Sequence, residues 1–404
     1  MEVLYERCCG LDVHKKSVTA CLITPEGKEI RTFGTMTKEL LKLSDWLVKS
    51  GCTHVAMEST GVYWKPVYNI LEPSGMKLLV VNAQHIKAVP GRKTDVKDAE
   101  WIADLLRHGL VSGSYIPDRA QRELRELVRY RRSLMQERAR EVNRIQKVLE
   151  GANIKLGDVA TDILGKSGRA MLQAIVEGKV DPKLLASMAK GKLRNKRDEL
   201  EQALHGLLGP HQRMLLARQL RHVEFLEEEI EGLNQEIEER MRPFEPQIKA
   251  LDKIPGVGRR VAEQILAETG TDMNRFPSAA HLASWAGICP GNNESAGKRK
   301  SGRTRKGNPH LRATLVEAAR GAARSKGTYL SALYHRIAAR RGSKRAAVAV
   351  GHAILVAIYH MLKTGTPYQD PGPDYFDKLN KQAIVKRAVK RLETLGYKVT
   401  LDVA

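Results

Sequence analysis

The run Cys8-Cys9-Gly10-Leu11-Asp12-Val13, followed after His14-Lys15-Lys16 by Ser17-Val18-Thr19-Ala20-Cys21-Leu22-Ile23, decides the architecture of the first part of the chain. Both runs are short and apolar, with strand rather than helix composition. Pro25-Glu26-Gly27-Lys28 is turn chemistry, and Glu29 starts a third strand that reaches Phe33, so the chain opens as an antiparallel meander. A helix carrying Leu40, Leu41, Leu43, Trp46 and Leu47 follows. After it come a strand over 54–58, a helix over 64–71 and a strand over 77–82. Three strands followed by alternating helices and strands specify an α/β layer on a mixed sheet.

Asp12 interrupts an apolar strand, where a buried charge is costly without a partner. Glu58 ends another strand, immediately before Ser59-Thr60-Gly61. Farther on, Arg92-Lys93-Thr94-Asp95-Val96-Lys97-Asp98-Ala99 sets two acids three residues apart where a helix begins. Beyond them Ala99, Ile102, Ala103, Leu106 and Leu110 recur at helical spacing. Side chains at i and i+3 share a helix face. Two carboxylates about 4 Å apart repel by roughly 4 kcal/mol at an effective dielectric near 20. A divalent cation reverses that sign, and oxygen ligands suit Mg²⁺. Each acid also has an ordinary role: Asp95 as N-cap, Asp98 as first-turn acid, Glu58 as cap of the next helix, Asp12 as the flank of a turn. Four acids at a strand, a strand end and a helix start of one α/β unit nonetheless match what a two-metal phosphoryl-transfer site requires.

Composition narrows the partner. Among 404 residues, 68 Lys and Arg face 46 Asp and Glu, a formal charge of +22. That excess calls for a polyanion, either nucleic acid or an anionic membrane surface. The length suits two or three domains. The five cysteines, Cys8, Cys9, Cys21, Cys52 and Cys289, form no CxxC pair, which argues against a disulfide framework and a cysteine zinc site and fits a reducing cytoplasm. The N-terminal residues show no secretory signal. The most apolar run, 346–362, is shorter than the roughly 20 residues of a membrane span. Gly351, His352 and His360 interrupt it, so it is expected as a buried helix and nucleic acid as the partner.

Gly10-Leu11-Asp12-Val13-His14-Lys15, Met57-Glu58-Ser59-Thr60-Gly61-Val62-Tyr63-Trp64 and Thr94-Asp95-Val96-Lys97-Asp98-Ala99 resemble, in order, the three acidic motifs of the DEDD transposases of insertion-sequence family one-ten, which are related to the Piv invertase and the RuvC Holliday-junction resolvase. The resemblance implies an α/β, RNase H-like (RuvC-like) domain over 1–117. It also assigns Asp12, Glu58, Asp95 and Asp98 to Mg²⁺ (or Mn²⁺) binding and catalysis.

From 118 to 245 the chain reads as a helical, charged arm. Leu124, Val128, Arg131, Met135, Arg138, Val142, Ile145 and Leu149 follow heptad spacing, as do Val223, Leu226, Ile230, Leu233 and Ile237. The two seam arginines mean that the coil is imperfect or meets something anionic. An intramolecular hairpin and a dimerising coiled coil both fit; analogy with the family favours dimerisation. Between the arm's two helices, 151–191 reads as looser helix broken at Gly157, Gly165, Gly178 and Pro182.

The stretch 246–366 reads as a mostly α-helical domain. It opens on Ile254-Pro255-Gly256-Val257-Gly258-Arg259-Arg260, a helix-hairpin-helix-like turn where Gly256 and Gly258 can offer backbone N–H groups to a DNA phosphate. Between Lys298 and Arg312 stand seven Lys or Arg and no acid. Lys298, Arg299, Lys300, Arg303, Arg305 and Lys306 are the candidate nucleic-acid contacts. A serine beside such charge is a candidate nucleophile, because guanidinium groups stabilise a phosphorane. Ser295, Ser301 and Ser284 all qualify on that ground. The resemblance selects Ser295, since 287–297 looks like the family's second signature. Relatives often show Ser-Gly where this chain has Ser295-Ala296-Gly297, which keeps Ser301-Gly302 in contention. The tail, 367–404, turns basic and helical.

What the resemblance implies is a transposase that exchanges DNA strands through a serine–DNA intermediate. It also implies a structured bridge RNA that pairs with donor and target DNA, so that base pairing supplies specificity. Synapsis calls for a dimer, and for a tetramer in the full complex, with acids and serine from different subunits in a bacterial, nucleoid-associated cytoplasmic protein. Two competitors remain: a RuvC-like nuclease that resolves junctions with water, and a non-enzymatic nucleic-acid-binding protein whose carboxylates are caps.

Overall fold

The computed structural model describes residues 2–59, 61–81, 98–290, 293–295, 297–304, 306–379 and 381–401. The chain divides into two compact units, Met1–Pro117 and Asp118–Ala404.

In the first unit β1 (Cys8–Val13), β2 (Ser17–Thr24), β3 (Gly27–Gly34), β4 (His54–Glu58) and β5 (Lys77–Val81) form one sheet of order β3-β2-β1-β4-β5. β2 runs antiparallel to β1 and β3, whereas β4 runs parallel to β1 and β5. The period-2 alternation of each strand feeds two cores, one on each face of the sheet. Cys9, Leu11, Val13, Val55 and Met57 pack under α1 (Thr37–Lys49) and α2 (Trp64–Leu71). Cys8, Cys21, Ile23, Ala56 and Val81 pack under α3 (Asp98–Arg107) through Ala99, Ile102, Ala103 and Leu106. Leu110, expected on the same helix, lies beyond its end. Gly109 takes φ +67°, and the N–H groups of Gly109 and Leu110 close back on the carbonyls of Leu106 and Leu105, which stops the helix at Arg107.

Among its described residues the second unit is helical apart from one hairpin. Its arm pairs α4 (Arg119–Gly151), capped by the Asp118 carboxylate on the N–H of Gln121, with α6 (Pro210–Met241). The contacts Glu123–Arg240, Arg131–Asn234, Arg138–Glu227 and Glu141–His222 step in opposite directions along the two helices, so the pair is antiparallel and intramolecular. The arginines on the seam meet acids of the same chain. Arg131, 2% exposed, donates to Glu263 Oε2 at 2.8 Å, and Arg138 Nε to Glu227 Oε1 at 2.8 Å. Leu134 and Glu141 are buried where Met135 and Val142 were expected to lead. A straight α-helix drifts by about 20° per heptad, which moves the seam to the neighbouring positions.

At the far end of the arm, α5 (Lys166–Val176) and the short helices Leu156–Val159, Pro182–Ser187 and Arg197–Ala203 enclose a core built on Ile145, Leu149, Met171, Leu172, Leu200 and Leu216. Gly157 lies inside one of those helices rather than at a break. The near end joins a bundle of α7 (Arg259–Thr269), α8 (Ala279–Trp285), α9 (Pro309–Ala322), α10 (Tyr329–Arg341) and α11 (Ser343–Thr364). The length and composition of α11 suffice to cross a membrane, yet Ala346, Val350, Ile354 and Ile358 are buried. A Cβ at Gly351 would stand 3.1 Å from the Leu315 carbonyl of α9, so the two helices touch backbone to backbone. The tail returns over α10, where Tyr329 packs on Tyr375 and Phe376. It ends in α12 (Lys381–Thr394), none of whose residues is buried.

Candidate functional site

Parity along the strands fixes where the acids of the first unit go. Asp12 follows Cys8 and Gly10 at two-residue steps and Glu58 follows Ala56, so both backbones aim these side chains at the face that α3 covers. The parallel register Gly10↔Ala56, Leu11↔Met57 continues to Asp12 beside Glu58, at the C-terminal ends of adjacent strands. The direction of α3 follows from its contacts. Ala99 and Ala103 lie over Gly10, the Cys8 thiol reaches the Ala103 carbonyl, and the Arg107 carbonyl accepts from the N–H of Leu4 and Tyr5. The helix therefore runs antiparallel to β1, and its first residue, Asp98, comes at the end where Asp12 and Glu58 stand. Gly10 permits this approach: a Cβ there would sit 2.2 Å from the Ala99 carbonyl oxygen and 2.3 Å from the Ala103 nitrogen.

Asp12, its side chain 17% exposed, pairs with His14 Nε2 at 3.1 Å, and that imidazole is largely in solvent. Asp95 lies outside the described residues. Among the described residues no three His, Cys, Asp or Glu side chains stand close enough to hold a metal ion. The acids at this end of the face, Asp12, Glu58 and Asp98, offer carboxylate oxygens, which suit a hard divalent cation.

The second unit carries the serine. β6 (Asn293–Ser295) pairs antiparallel with β7 (Lys298–Ser301), a hairpin to which the sequence assigns no strand pattern. Ser295 pairs with Lys298, and Gly297 between them takes φ +73°, as a tight hairpin turn demands. Ser301 pairs with Asn293 at the opposite end of the ladder, and Ser284 sits on α8, outside the hairpin. Of Ser295, Arg299, Lys300 and Ser301 the structure describes the backbone. Lys298, Arg303 and Lys306 are exposed, and Arg305 lies outside the described residues. The feet of the hairpin cross closely: Pro290 bridges Thr304, and a Cβ on Gly307 would meet Gly287 N at 2.3 Å.

The two glycines of the helix-hairpin-helix-like turn differ. Gly256, at φ +84°, is packed so that a Cβ would reach the Ala318 carbonyl at 2.2 Å; it serves the contact with α9. Gly258 precedes α7, is exposed, and has open space where a Cβ would be.

Sequence reasoning missed the buried polar cluster beside the hairpin. Glu268 on α7, 3% exposed, accepts from Arg129 Nε at 2.7 Å, Arg129 Nη2 at 2.8 Å and Asn308 Nδ2 at 2.6 Å. Its backbone carbonyl accepts from Arg125 Nη2 at 2.6 Å. Burial pushes the Glu268 carboxyl up, but Arg129, Arg125 and the Asn308 amide outweigh it and hold the group below the usual carboxylate range. Burial and Arg129 lower the neighbouring His310. The only hint in the sequence was arginine at helical spacing on α4.

Comparison with known proteins matches the acidic motifs and the serine hairpin separately, and the first match runs on through α4. The DEDD transposase family model of the IS110 elements matches residues 9–154, and that of the transposase IS116/IS110/IS902 family matches 248–335; together they span more than half of the chain. The uncharacterized 43.6 kDa protein of insertion element IS110 from Streptomyces coelicolor is 27% identical, over 90% of this chain and 96% of its own length. A putative transposase of Sinorhizobium fredii is 26% identical over 82% of this chain and 78% of its own. The uncharacterized 42 kDa protein of insertion element IS900 from Mycobacterium paratuberculosis is 30% identical over 53% of this chain and 60% of its own.

Proposed function

Because the chain belongs to the IS110/IS116 family of insertion-element transposases, enzymes that act on DNA, we propose that it exchanges DNA strands through a covalent link to Ser295 at a site completed by Asp12, Glu58, Asp95 and Asp98. What supports the reading is that β1 and β4 carry Asp12 and Glu58 at the end of the sheet face that α3 covers, and that α3, packed closely on Gly10, begins at Asp98 at that same end. The strand order β3-β2-β1-β4-β5, with β2 antiparallel to its neighbours, supports an RNase H-like identity for this unit.

The family's divalent metal, here Mg²⁺ or Mn²⁺, would be held by these four carboxylates, and when bound it neutralises charge on the scissile phosphate. The remaining work falls to the chain's own groups. Lys298, Arg303 and Lys306, exposed beside the hairpin, hold phosphates and fix register without reading sequence. The Ser295 Oγ attacks phosphorus: the Oγ–P bond forms, the P–O3′ bond breaks, the serine proton passes to a base, and the departing 3′ oxygen takes up a proton. The phosphoserine ester conserves the bond, so a second 3′-hydroxyl rejoins the strand by the reverse displacement. The family resemblance implies a second polyanion, a bridge RNA that pairs with donor and target DNA, and a charge of +22 suits holding its backbone as well as that of DNA. Synapsis of two sites then requires at least a dimer, with acids and serine drawn from different subunits.

The test is a denaturing gel run without protease after incubation with Mg²⁺, the element's DNA and RNA transcribed from its flanks. Full-length protein gives a protein–DNA adduct that vanishes in Ser295→Ala. Cleavage without adduct would instead assign a water-using nuclease, and binding without cleavage a non-enzymatic role.

A further inference from the structure

We propose that Glu268 and Asn308 are positioning residues that lock the serine hairpin to the arm helix α4, so that the arm sets where Ser295 is presented. The inference rests on the reading of Ser295 as nucleophile. Asn308 ties three elements together where the chain leaves the hairpin and enters α9. Its backbone N–H donates to the Trp285 carbonyl at 3.1 Å, and its Oδ1 caps α9 by accepting from the N–H groups of His310 and Leu311, each at 3.1 Å. The third tie is its amide, which donates to Glu268 Oε2 at 2.6 Å.

The other foot of the hairpin is held by the backbone crossing of Gly287 with Gly307. Both feet are thereby fixed to one another, and Glu268 joins them to α4 through Arg129 and Arg125. A carboxylate this deeply buried is tolerated only when its oxygens are paired, and here two guanidinium groups and one amide do so. Moving α4 moves the Glu268 carboxylate, and moving that carboxylate moves Asn308. A nucleophile on a two-stranded hairpin has little stiffness of its own, so its alignment depends on such an anchor.

The chemistry of the pair supplies its own control. Asn308→Asp keeps an oxygen to cap α9 but replaces the amide donor with a second carboxylate facing Glu268. Combining it with Glu268→Gln exchanges the two groups, restores a donor–acceptor pair and leaves the charge of the cluster unchanged. Full-length proteins are expressed in bacteria with a plasmid carrying the whole insertion element and its flanks, and exchange junctions are counted by quantitative PCR. The purified proteins are compared by melting temperature and by the rate of trypsin cleavage within 298–306. Asn308→Asp is expected to lower junction formation by roughly ten- to a hundredfold and to speed trypsin cleavage there, a loss of exchange well beyond what the accompanying fall in melting temperature explains. The double variant recovers most of both.

The proposal is overturned if Asn308→Asp exchanges strands at the normal rate. It is equally overturned if exchange falls only in step with melting temperature, or if the double variant is no better than the single. Ser295→Ala tells the two readings apart. Full exchange in that variant removes the serine assignment, whereas a dead Ser295→Ala beside an active Asn308→Asp removes the lock alone.

Discussion

Replacing Gly10 by alanine tests the contact on which the grouping of the acids depends. The added Cβ would lie 2.2 Å from the Ala99 carbonyl oxygen, 2.3 Å from the Ala103 nitrogen and 2.9 Å from the Ala103 Cα. All three are backbone atoms, so no rotamer change relieves the clash, and Ala103→Gly does not rescue it. Restoring a separation of about 3.5 Å requires α3 to lift from the sheet by more than about 1 Å. Overpacking on this scale costs about 3 kcal/mol, the upper end for a methyl forced into a packed core. With a urea slope of about 2 kcal/mol per molar, the midpoint of the first unit falls by roughly 1.5 M. Three of the four tryptophans, Trp46, Trp64 and Trp101, belong to that unit, so fluorescence follows its unfolding. Strand exchange falls further, by about a hundredfold, because Asp98 rides on the displaced helix. Gly34→Ala is the control: its Cβ meets only the flexible Glu39 side chain at 3.4 Å, and a gain of about 0.5 kcal/mol is expected there. If Gly10→Ala unfolds at the wild-type midpoint, α3 does not lie on that face, and the alignment of Asp98 with Asp12 and Glu58 fails with it.

Three further outcomes follow from the same geometry. Glu263→Ala strands the Arg131 guanidinium, 2% exposed, and is expected to cost about 3–5 kcal/mol in urea unfolding. Replacing Arg131 and Glu263 together by methionine should cost far less; equal costs would mean that the pair contributes through its volume and not its charge. Glu268 is held below the usual carboxylate range, so its contribution to stability is complete above the unfolded carboxyl value near 4.3 and disappears as pH falls through the lower folded value. Thermal melts from neutral to acid pH should show a shallower acid limb in Glu268→Gln, and an unaltered limb would contradict the assignment. Asp98→Asn should abolish strand exchange while sparing nucleic-acid binding in a gel shift; loss of folding in that variant would favour a capping role for the carboxylate.

The meander, the alternating helices and strands and the arm were readable because each depends on neighbours in sequence: two-residue alternation in β1 and β4, turn residues at 25–28, heptad spacing in α4 and α6. The hairpin at 293–301 gave no such signal. Its strands, Asn-Glu-Ser and Lys-Arg-Lys-Ser, carry no apolar alternation, so their pairing comes from backbone hydrogen bonds and the positive φ of Gly297. The partners of the arm's arginines were equally hidden, since Arg131 and Glu263 are 132 residues apart, Arg129 and Glu268 139 apart, and Glu268 and Asn308 40 apart. Charge on a helix face announces that a partner exists, but only the tertiary fold names it.

The acids lie between these cases. Parity alone sends Asp12 and Glu58 to the same face of the sheet, a local property that the strands' alternation already contained. Bringing Asp98 to them depends on a nonlocal approach made by the one residue of β1 with no side chain. Within its strand Gly10 carries no alternation signal of its own, because its function is the space it leaves for Ala99 and Ala103. The chemistry proposed for the site is therefore legible in its carboxylates, and the approach of α3 in a missing methyl group. Pattern-based reading finds the first readily and finds the second only once register and helix direction are known.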